Sequence, residues 1–279
     1  MAEYRDIGIF DGKSGFVGAI GKLVRAKFQL KDLNERLRFF AESQPYRITE
    51  HFELSPGKGI GDYTFTLRKP KIPNREWGVL VGEIVHNLRS ALDQAAYTAA
   101  GTKASRDTKF PICRTEEDWD KWACSMIYGI PEKAVTVIQQ AQPYRYSKET
   151  RGRHELVLLN GMWNHDKHRL LHTTALVLGS PRPPISVVRD VAEIIKPRFL
   201  SKPLEDDTEV VRVTVRPSGP NPKLKMDGKL AVGVAFAEGV EGAPELKGLH
   251  VMAVLTNAFE GVSWIVGAVE AACQPESRP

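Results

Sequence analysis

The segment from Trp77 to Ala100 constrains the fold more than any other part of the chain. Its apolar residues recur at the spacing of one helix face, and Gly101 ends the pattern. We therefore predict a long amphipathic helix with one apolar face for the core. The opposite face carries Glu83, His86, Asn87, Ser90, Gln94 and Tyr97, with Arg89 and Asp93 at its edge.

This polar face contains no lysine, although solvent-exposed helix faces are usually rich in long charged side chains. The composition favours a half-buried polar seam, and an ordinary solvated face is the alternative. A seam of this kind needs polar partners from another element.

Similar patterns place the other helices and strands. Helical spacing predicts helices over Lys22–Ser43, Glu116–Met126, Glu132–Gln142, Glu155–Leu178 and Glu245–Ala272. Alternation predicts strands over Arg47–Leu54, Asp62–Lys69 and Glu209–Arg216. The loop Ser55–Gly61 would join the first two as a hairpin. Asp227-Gly228, at the centre of Leu224–Phe236, predicts a second hairpin.

The prolines between positions 181 and 203 mark the clearest internal boundary. We predict a helical bundle over residues 22–180, with the hairpin inserted at about residues 46–69. Residues 181–279 would supply β-strands and a C-terminal helix that packs on the bundle. The predicted fold class is α+β: mainly a helical bundle, with a peripheral β-hairpin, C-terminal β-strands and a final helix.

The composition bears on location and on partners. The net charge of +5 is spread along the chain and permits an anionic partner without requiring one. Three cysteines without a CxxC pair argue against a disulfide framework and against a thiolate zinc site. The first residues do not resemble a signal peptide, and Val251–Val269 is interrupted by Asn257 and Glu260. We predict a cytoplasmic protein that does not enter a membrane.

The second informative segment is Leu156–Thr173. On a helix, Asn160, Asn164 and Lys167 would share a face with apolar residues, where polar groups without partners are unfavourable. The polar face of the Trp77–Ala100 helix is the obvious source of partners. We therefore predict that the two helices pack together.

In that arrangement Glu83 or Asp93 would pair with Lys167 or Arg169. Two interpretations are open. The seam is either a structural set of ion pairs or the lining of a ligand site.

Metal binding and nucleophilic catalysis have weak support. Glu83 and His86 have the spacing of carboxylate-bridged helix bundles, but a di-iron bundle needs two such pairs and the chain has one. On a helix, His165 and His172 would stand about 10 Å apart, too far to share a metal ion. No Gly-x-Ser-x-Gly elbow occurs. We predict no metal and no cofactor.

Several short motifs resemble those of a family of uncharacterised bacterial proteins of similar length. They are HNLRSALD (86–93), FPI (110–112), QPY (142–144) and NHDKHR (164–169), within residues 77–173. More remotely, the first helix is similar to helices of the HEPN superfamily. Members of that superfamily are helical-bundle domains found among RNA-cutting toxins, phage-defence proteins and nucleotide binders.

HEPN ribonucleases carry an arginine with an adjacent polar residue, followed after four to six residues by a histidine. Arg89 and Ser90 match the first part, but Gln94 and the alanines after it stand where the histidine belongs. An amide cannot act as a general acid or base. The departure therefore argues against RNA cleavage by the family's mechanism and leaves phosphate or nucleotide binding intact.

The resemblance implies a HEPN-like module of bacterial defence or stress that binds an anionic ligand, a nucleotide or RNA, and forms a homodimer. The expected ligand-binding residues are Glu83, His86, Asn87, Arg89, Asp93, Asn160, Asn164, Lys167 and Arg169. Among them, Arg89, Lys167 and Arg169 would contact phosphate. One alternative is an RNase or other hydrolase that uses His86 or His168. The other is a non-catalytic interaction protein with a structural polar seam.

Overall fold

The computed structural model describes residues 15–44, 46–68, 75–177, 184–200, 207–227 and 232–274. The chain divides into two compact units, and each unit is assembled from separate stretches of sequence. The first unit comprises Met1–Asn34, Arg75–His172 and Phe236–Pro279. The second comprises Glu35–Asn74 and Thr173–Ala235.

The first unit is helical. Its long helices are α2 (Glu76–Ala100), α5 (Glu132–Gln140), α7 (Glu155–Asp166), α8 (Val251–Cys273) and the part of α1 (Val17–Glu42) that ends at Asn34. Its short helices are α3 (Glu116–Asp118), α4 (Cys124–Met126) and α6 (Lys148–Arg151). A π-helical turn, Trp119–Ala123, joins α3 to α4, and 3-10 turns occupy Gly101–Lys103, Pro143–Arg145 and Pro244–Leu246.

Helix α8 packs against α2, α5 and α7, and α2 also packs against α7. The apolar face of α2 supplies Ile84, Leu88 and Leu92, which are completely buried. The prediction that the helix from Trp77 packs on the helix from Glu155 is therefore confirmed.

Helix α3 begins with a reciprocal pair of hydrogen bonds between side chain and backbone. Thr115 accepts a hydrogen bond from the Asp118 backbone N–H, and the Asp118 carboxylate accepts one from the Thr115 N–H. This reciprocal pair satisfies two backbone donors that a helix start would otherwise leave unpaired.

The second unit is built on β-strands. Its main sheet has four antiparallel strands in the order β1 (Arg47–Leu54), β2 (Gly61–Arg68), β6 (Thr208–Pro217) and β5 (Val191–Phe199). Strand β4 (Ile185–Arg189) pairs with β7 (Lys223–Met226). Strand β3 (Thr173–Val177) pairs with β8 (Val232–Phe236).

Alternation of buried side chains explains the register of the main sheet. Tyr63, Phe65 and Leu67 of β2 are buried on one face, beside Val211 and Val213 of β6. A shift by one residue would move these side chains to the opposite face. The predicted hairpin of β1 and β2 is confirmed.

The prediction of a mainly helical bundle is wrong. The described residues are mixed, with about 51% helix and 23% strand, and they contain a four-stranded antiparallel sheet. The β1–β2 hairpin is not peripheral but part of the main sheet, because the other edge of β2 pairs with β6, which comes much later in the chain. Period-two alternation identifies strands but carries no information about which distant strands pair.

Two predicted elements need correction. The helix predicted over Glu155–Leu178 ends at Asp166, and β3 begins at Thr173. The hairpin predicted within Leu224–Phe236 does not form, because β7 and β8 belong to different sheets.

Several predicted boundaries also shift. Helix α1 begins at Val17 rather than Lys22, and α8 begins at Val251 rather than Glu245. The later start of α8 follows from a 3-10 turn and from Gly248, whose φ of 77° does not fit a right-handed helix. Lys69, Gly228 and the prolines at 181, 183 and 203 lie outside the described residues.

Within the described part of the chain, α8 is the one helix long and apolar enough to cross a membrane by length and composition. This is weak evidence, because a buried core helix passes the same test. Helix α8 buries Leu255, Val262 and Val266 among the helices of its unit. The cytoplasmic location stays a prediction.

Candidate functional site

A cleft of about 780 Å³ lies in the first unit between α1, α2 and the turn after α7. We call it the first cleft. It is lined by Lys22, Arg25, Gln29, Val79, Gly82, Glu83, His86, Asn87, Asp166, His168, Arg169 and Leu170. Every lining residue belongs to the first unit.

Helical spacing brings the polar side chains of α1 and α2 together. The buried Gln29 donates to Glu83 Oε2 at 2.5 Å and accepts from Asn87 Nδ2 at 2.8 Å. Lys22 Nζ donates to Asn87 Oδ1 at 3.3 Å. The predicted pairing of Glu83 with Lys167 or Arg169 is therefore wrong, because this part of the polar face of α2 forms its hydrogen bonds with α1.

The first cleft has an excess of positive charge. Three permanent cations, Lys22, Arg25 and Arg169, face two carboxylates, Glu83 and Asp166. Among the described residues, neither Arg25 nor Arg169 forms an ion pair.

Asp166 approaches α2 closely because residue 82 is glycine. A Cβ atom at Gly82 would overlap the Asp166 carboxylate. Burial raises the pKa of Asp166, while the nearby His165 and His86 lower it. On the same helix, Ser90 Oγ lies 3.4 Å from His86 Nε2. The sequence thus places a half-buried carboxyl group near an exposed imidazole.

A second cleft, of about 1010 Å³, lies beside the end of α7, also within the first unit. It is lined by Asn164, His165, Lys167, His168, Arg169, His172, Glu238, Gly239, Val240, Glu241 and Gly242. His168 and Arg169 line both clefts, so the two clefts share a wall.

The loop that forms the far wall of the second cleft is fixed by backbone contacts. Val240 and Ala243 exchange hydrogen bonds of 3.3 and 2.9 Å, and Arg114 Nη1 donates to the Gly242 carbonyl oxygen at 2.7 Å. Gly161 of α7 packs against Ala243 so closely that a Cβ atom at Gly161 would lie 2.6 Å from the Ala243 Cβ.

Arg89 is buried away from the linings of both clefts, with 5% of its surface exposed. Its Nη2 donates to Asp93 Oδ1 and to the Phe110 carbonyl oxygen, each at 2.8 Å. The Phe110 N–H also donates to Asp93 Oδ1, at 3.0 Å. Burial lowers the pKa of Arg89, and Asp93 opposes this effect. Arg89 and Asp93 thus fasten the loop at Phe110 to α2.

Trp163 lies beside two cations. The Arg89 Cζ atom is 5.3 Å from its ring centroid, and the Lys167 Nζ atom is 3.1 Å from it. Lys167 also donates to Asn164 Oδ1 at 3.3 Å. Partial burial, followed by the charges of Arg89 and Lys109, lowers the pKa of Lys167, and Asp93 opposes the shift. The exposed ammonium group pairs with no carboxylate among the described residues.

The structure divides the predicted site residues into three groups. Glu83, His86, Asn87, His168 and Arg169 meet in the first cleft. Asn164 and Lys167, together with His168 and Arg169, line the second. Arg89, Asp93 and Asn160 line neither.

Sequence reasoning overlooked the contribution of α1 to the first cleft. Lys22, Arg25 and Gln29 occur at helical spacing and form one face, a signal present in the sequence. It also overlooked Asp166 and the acidic pair Glu238 and Glu241, for which the sequence holds no comparable signal.

The chain matches no protein-family profile, no characterised protein and no solved structure. In the described part of the chain, no three His, Cys, Asp or Glu side chains are grouped so that they could hold a metal ion. The expectation that the protein binds no metal stays a prediction.

Proposed function

We propose that the first cleft binds a phosphate-bearing ligand, a nucleotide or RNA. The observation that carries this proposal is the convergence of Lys22, Arg25 and Arg169 on one cleft in which both arginines lack an ion-pair partner among the described residues. Guanidinium groups without carboxylate partners are good donors to phosphate, because their planar N–H groups match two phosphate oxygens.

The hydrogen bonds of the Gln29 and Asn87 amides also support phosphate binding in the first cleft. Gln29 and Asn87 are tied to each other and to Glu83 and Lys22, so the floor of the cleft is ordered before a ligand arrives. A preorganised site loses less conformational entropy on binding. The HEPN-like resemblance favours the same ligand class, and a homodimer and a role in bacterial defence or stress stay predictions.

A second candidate function is hydrolysis of a phosphodiester. It is favoured by one observation: His86 and His168 line the same cleft, and Asp166 lies close enough to His86 for their charges to interact. One imidazole could take the proton of an attacking hydroxyl group, and the other could protonate the leaving oxygen.

Calorimetric titration with inorganic tripolyphosphate at low salt tests the binding proposal. We expect Arg25→Ala and Arg169→Ala each to weaken binding by about 10-fold or more, with a smaller dependence on salt. Arg106→Ala is the matched control, because Arg106 is exposed and lies outside both clefts. No binding by the parent protein, or an equal loss in the control, would overturn the proposal.

The hydrolytic candidate is tested on a labelled RNA strand. His86→Gln and His168→Gln should each abolish cleavage, because an amide cannot transfer a proton. Each should leave tripolyphosphate binding nearly unchanged, because Lys22, Arg25 and Arg169 supply the charge that holds the phosphate. If the parent protein leaves the strand intact over a full range of pH, the cleft binds without cleaving.

A further inference from the structure

We infer that the second cleft contacts the nucleobases of a single strand of nucleic acid whose phosphates lie in the first cleft, and that it selects bases bearing an exocyclic amino group. The inference rests on the proposed function of the first cleft. Its starting point is the shared wall: His168 and Arg169 line both clefts, so a ligand can pass from one to the other along these two residues.

The two clefts differ in charge. The first has three permanent cations against two carboxylates, whereas in the second Lys167 and Arg169 face Glu238 and Glu241. Both glutamates are exposed, and neither has a hydrogen-bond or ion-pair partner among the described residues. The two carboxylates offset the two cations, so the second cleft has no excess of positive charge to attract phosphate. The first cleft is therefore better suited to the backbone of the strand.

Free carboxylates are well suited to a base edge. An ionised carboxylate only accepts hydrogen bonds, so it favours a base that presents an amino group, as cytosine does at N4. Uracil presents a carbonyl oxygen at the same position and would be repelled. The imidazoles of His168 and His172 and the amide of Asn164 add the stacking and hydrogen-bonding groups by which proteins recognise unstacked bases.

The loop that carries the glutamates is held in place. Glu238 and Glu241 flank Val240, which exchanges backbone hydrogen bonds with Ala243, and the Gly242 carbonyl oxygen accepts from Arg114. A fixed backbone limits the region that the two carboxylates can reach to one wall of the cleft. A base must therefore approach the carboxylates from the open side of the second cleft.

The volumes argue for a strand rather than a mononucleotide. A cavity of about 300–1,000 Å³ typically holds one drug-sized ligand. The two adjoining clefts measure about 780 and 1010 Å³, which leaves room for more than one nucleotide.

The test compares two short oligonucleotides of equal length, one of cytidine and one of uridine, by fluorescence anisotropy at a fixed low salt concentration. They carry the same phosphates and differ at the exocyclic group. We expect the cytidine strand to bind about 10-fold more tightly. The double variant Glu238→Gln, Glu241→Gln should bring the ratio of the two affinities close to one, because an amide both donates and accepts.

The readout is the ratio, because removal of two negative charges strengthens the binding of any strand. The double variant Glu117→Gln, Glu132→Gln is the matched control, with the same change of charge on exposed helix positions outside both clefts. It should keep the parent ratio.

Binding of tripolyphosphate tests the proposed function of the first cleft separately from the inference about the second. If it binds but the strands bind equally, or if both double variants change the ratio alike, the inference about the second cleft is wrong and the proposed function stands. If neither tripolyphosphate nor either strand binds, the proposed function fails and the inference fails with it.

Discussion

The substitution Asp93→Asn tests whether the pair it forms with Arg89 is structural. The Arg89 side chain is 6% exposed and that of Asp93 is 30% exposed, and the two form the contact that ties the loop at Phe110 to α2. Asparagine preserves the shape of the side chain and an acceptor oxygen. It removes the negative charge that offsets the buried guanidinium group.

The expected loss is large because Arg89 has few other partners. Its Nε and Nη1 atoms already lack hydrogen-bond partners among the described residues. Breaking a buried ion pair by removing one member destabilises a protein by about 3–5 kcal/mol. The partial exposure of Asp93 places the expected loss at the lower end, about 3 kcal/mol, which corresponds to a fall in Tm of about 5 °C for a chain of this size.

Urea unfolding followed by circular dichroism measures the free energy of unfolding, and calorimetry measures Tm. Asp107→Asn is the matched control, since Asp107 pairs at the surface with Arg106 and should lose less than about 1 kcal/mol. A loss below about 1 kcal/mol in Asp93→Asn would refute the reasoning. It would mean that Trp163 and the Phe110 carbonyl group suffice to hold the charge of Arg89.

Three further variants have distinct expected outcomes. Lys167→Met should change Tm by less than about 3 °C in calorimetry, because the exposed ammonium group pairs with no described carboxylate and its contact with an indole ring is worth about 1 kcal/mol. Gly78→Ala should destabilise the protein more than Gly82→Ala in urea titrations. The Cβ added at position 78 would overlap the backbone oxygen of Leu171, whereas the Cβ added at position 82 would overlap only the Asp166 side chain. Burial lowers the pKa of His154, whose ring caps α7 by accepting from the Leu156 N–H. The histidine therefore binds a proton more readily in the unfolded chain than in the folded protein, and the free energy of unfolding should fall as the pH drops below about 6.5. Unfolding measured across pH 5–8 should show a shallower fall in His154→Asn.

The sequence predicts the helices and the first hairpin well because local periodicity determines them. It fails at the end of α7, where Leu170 and Leu171 continue the apolar pattern beyond Asp166. Leu171 is indeed buried, but it lies beyond the end of the helix. Burial alone therefore does not show that a residue is helical. The loss of this helix moves His168 and Arg169 into a turn that both clefts share.

For the candidate site, the polar face of α2 is only partly buried: Asn87 is buried, whereas Glu83 and His86 are exposed. The partner of Glu83 was assigned to the wrong helix. Gln29 looks like an ordinary surface residue in the sequence and is 6% exposed in the structure. Arg89 shows the opposite error, since a predicted phosphate ligand is used to hold a loop. Which polar residues meet depends on tertiary packing, and helix periodicity does not contain that information.

The position of α8 in the chain has a consequence for synthesis on the ribosome. Helix α8 is the common packing partner of α2, α5 and α7, yet it is translated after all of them and after the strands of the second unit. The apolar faces of the earlier helices therefore stay exposed until α8 has been synthesised, and the rate of translation sets how long this exposure lasts. A nascent chain stalled before Val251 would be a natural client of chaperones that bind exposed apolar segments.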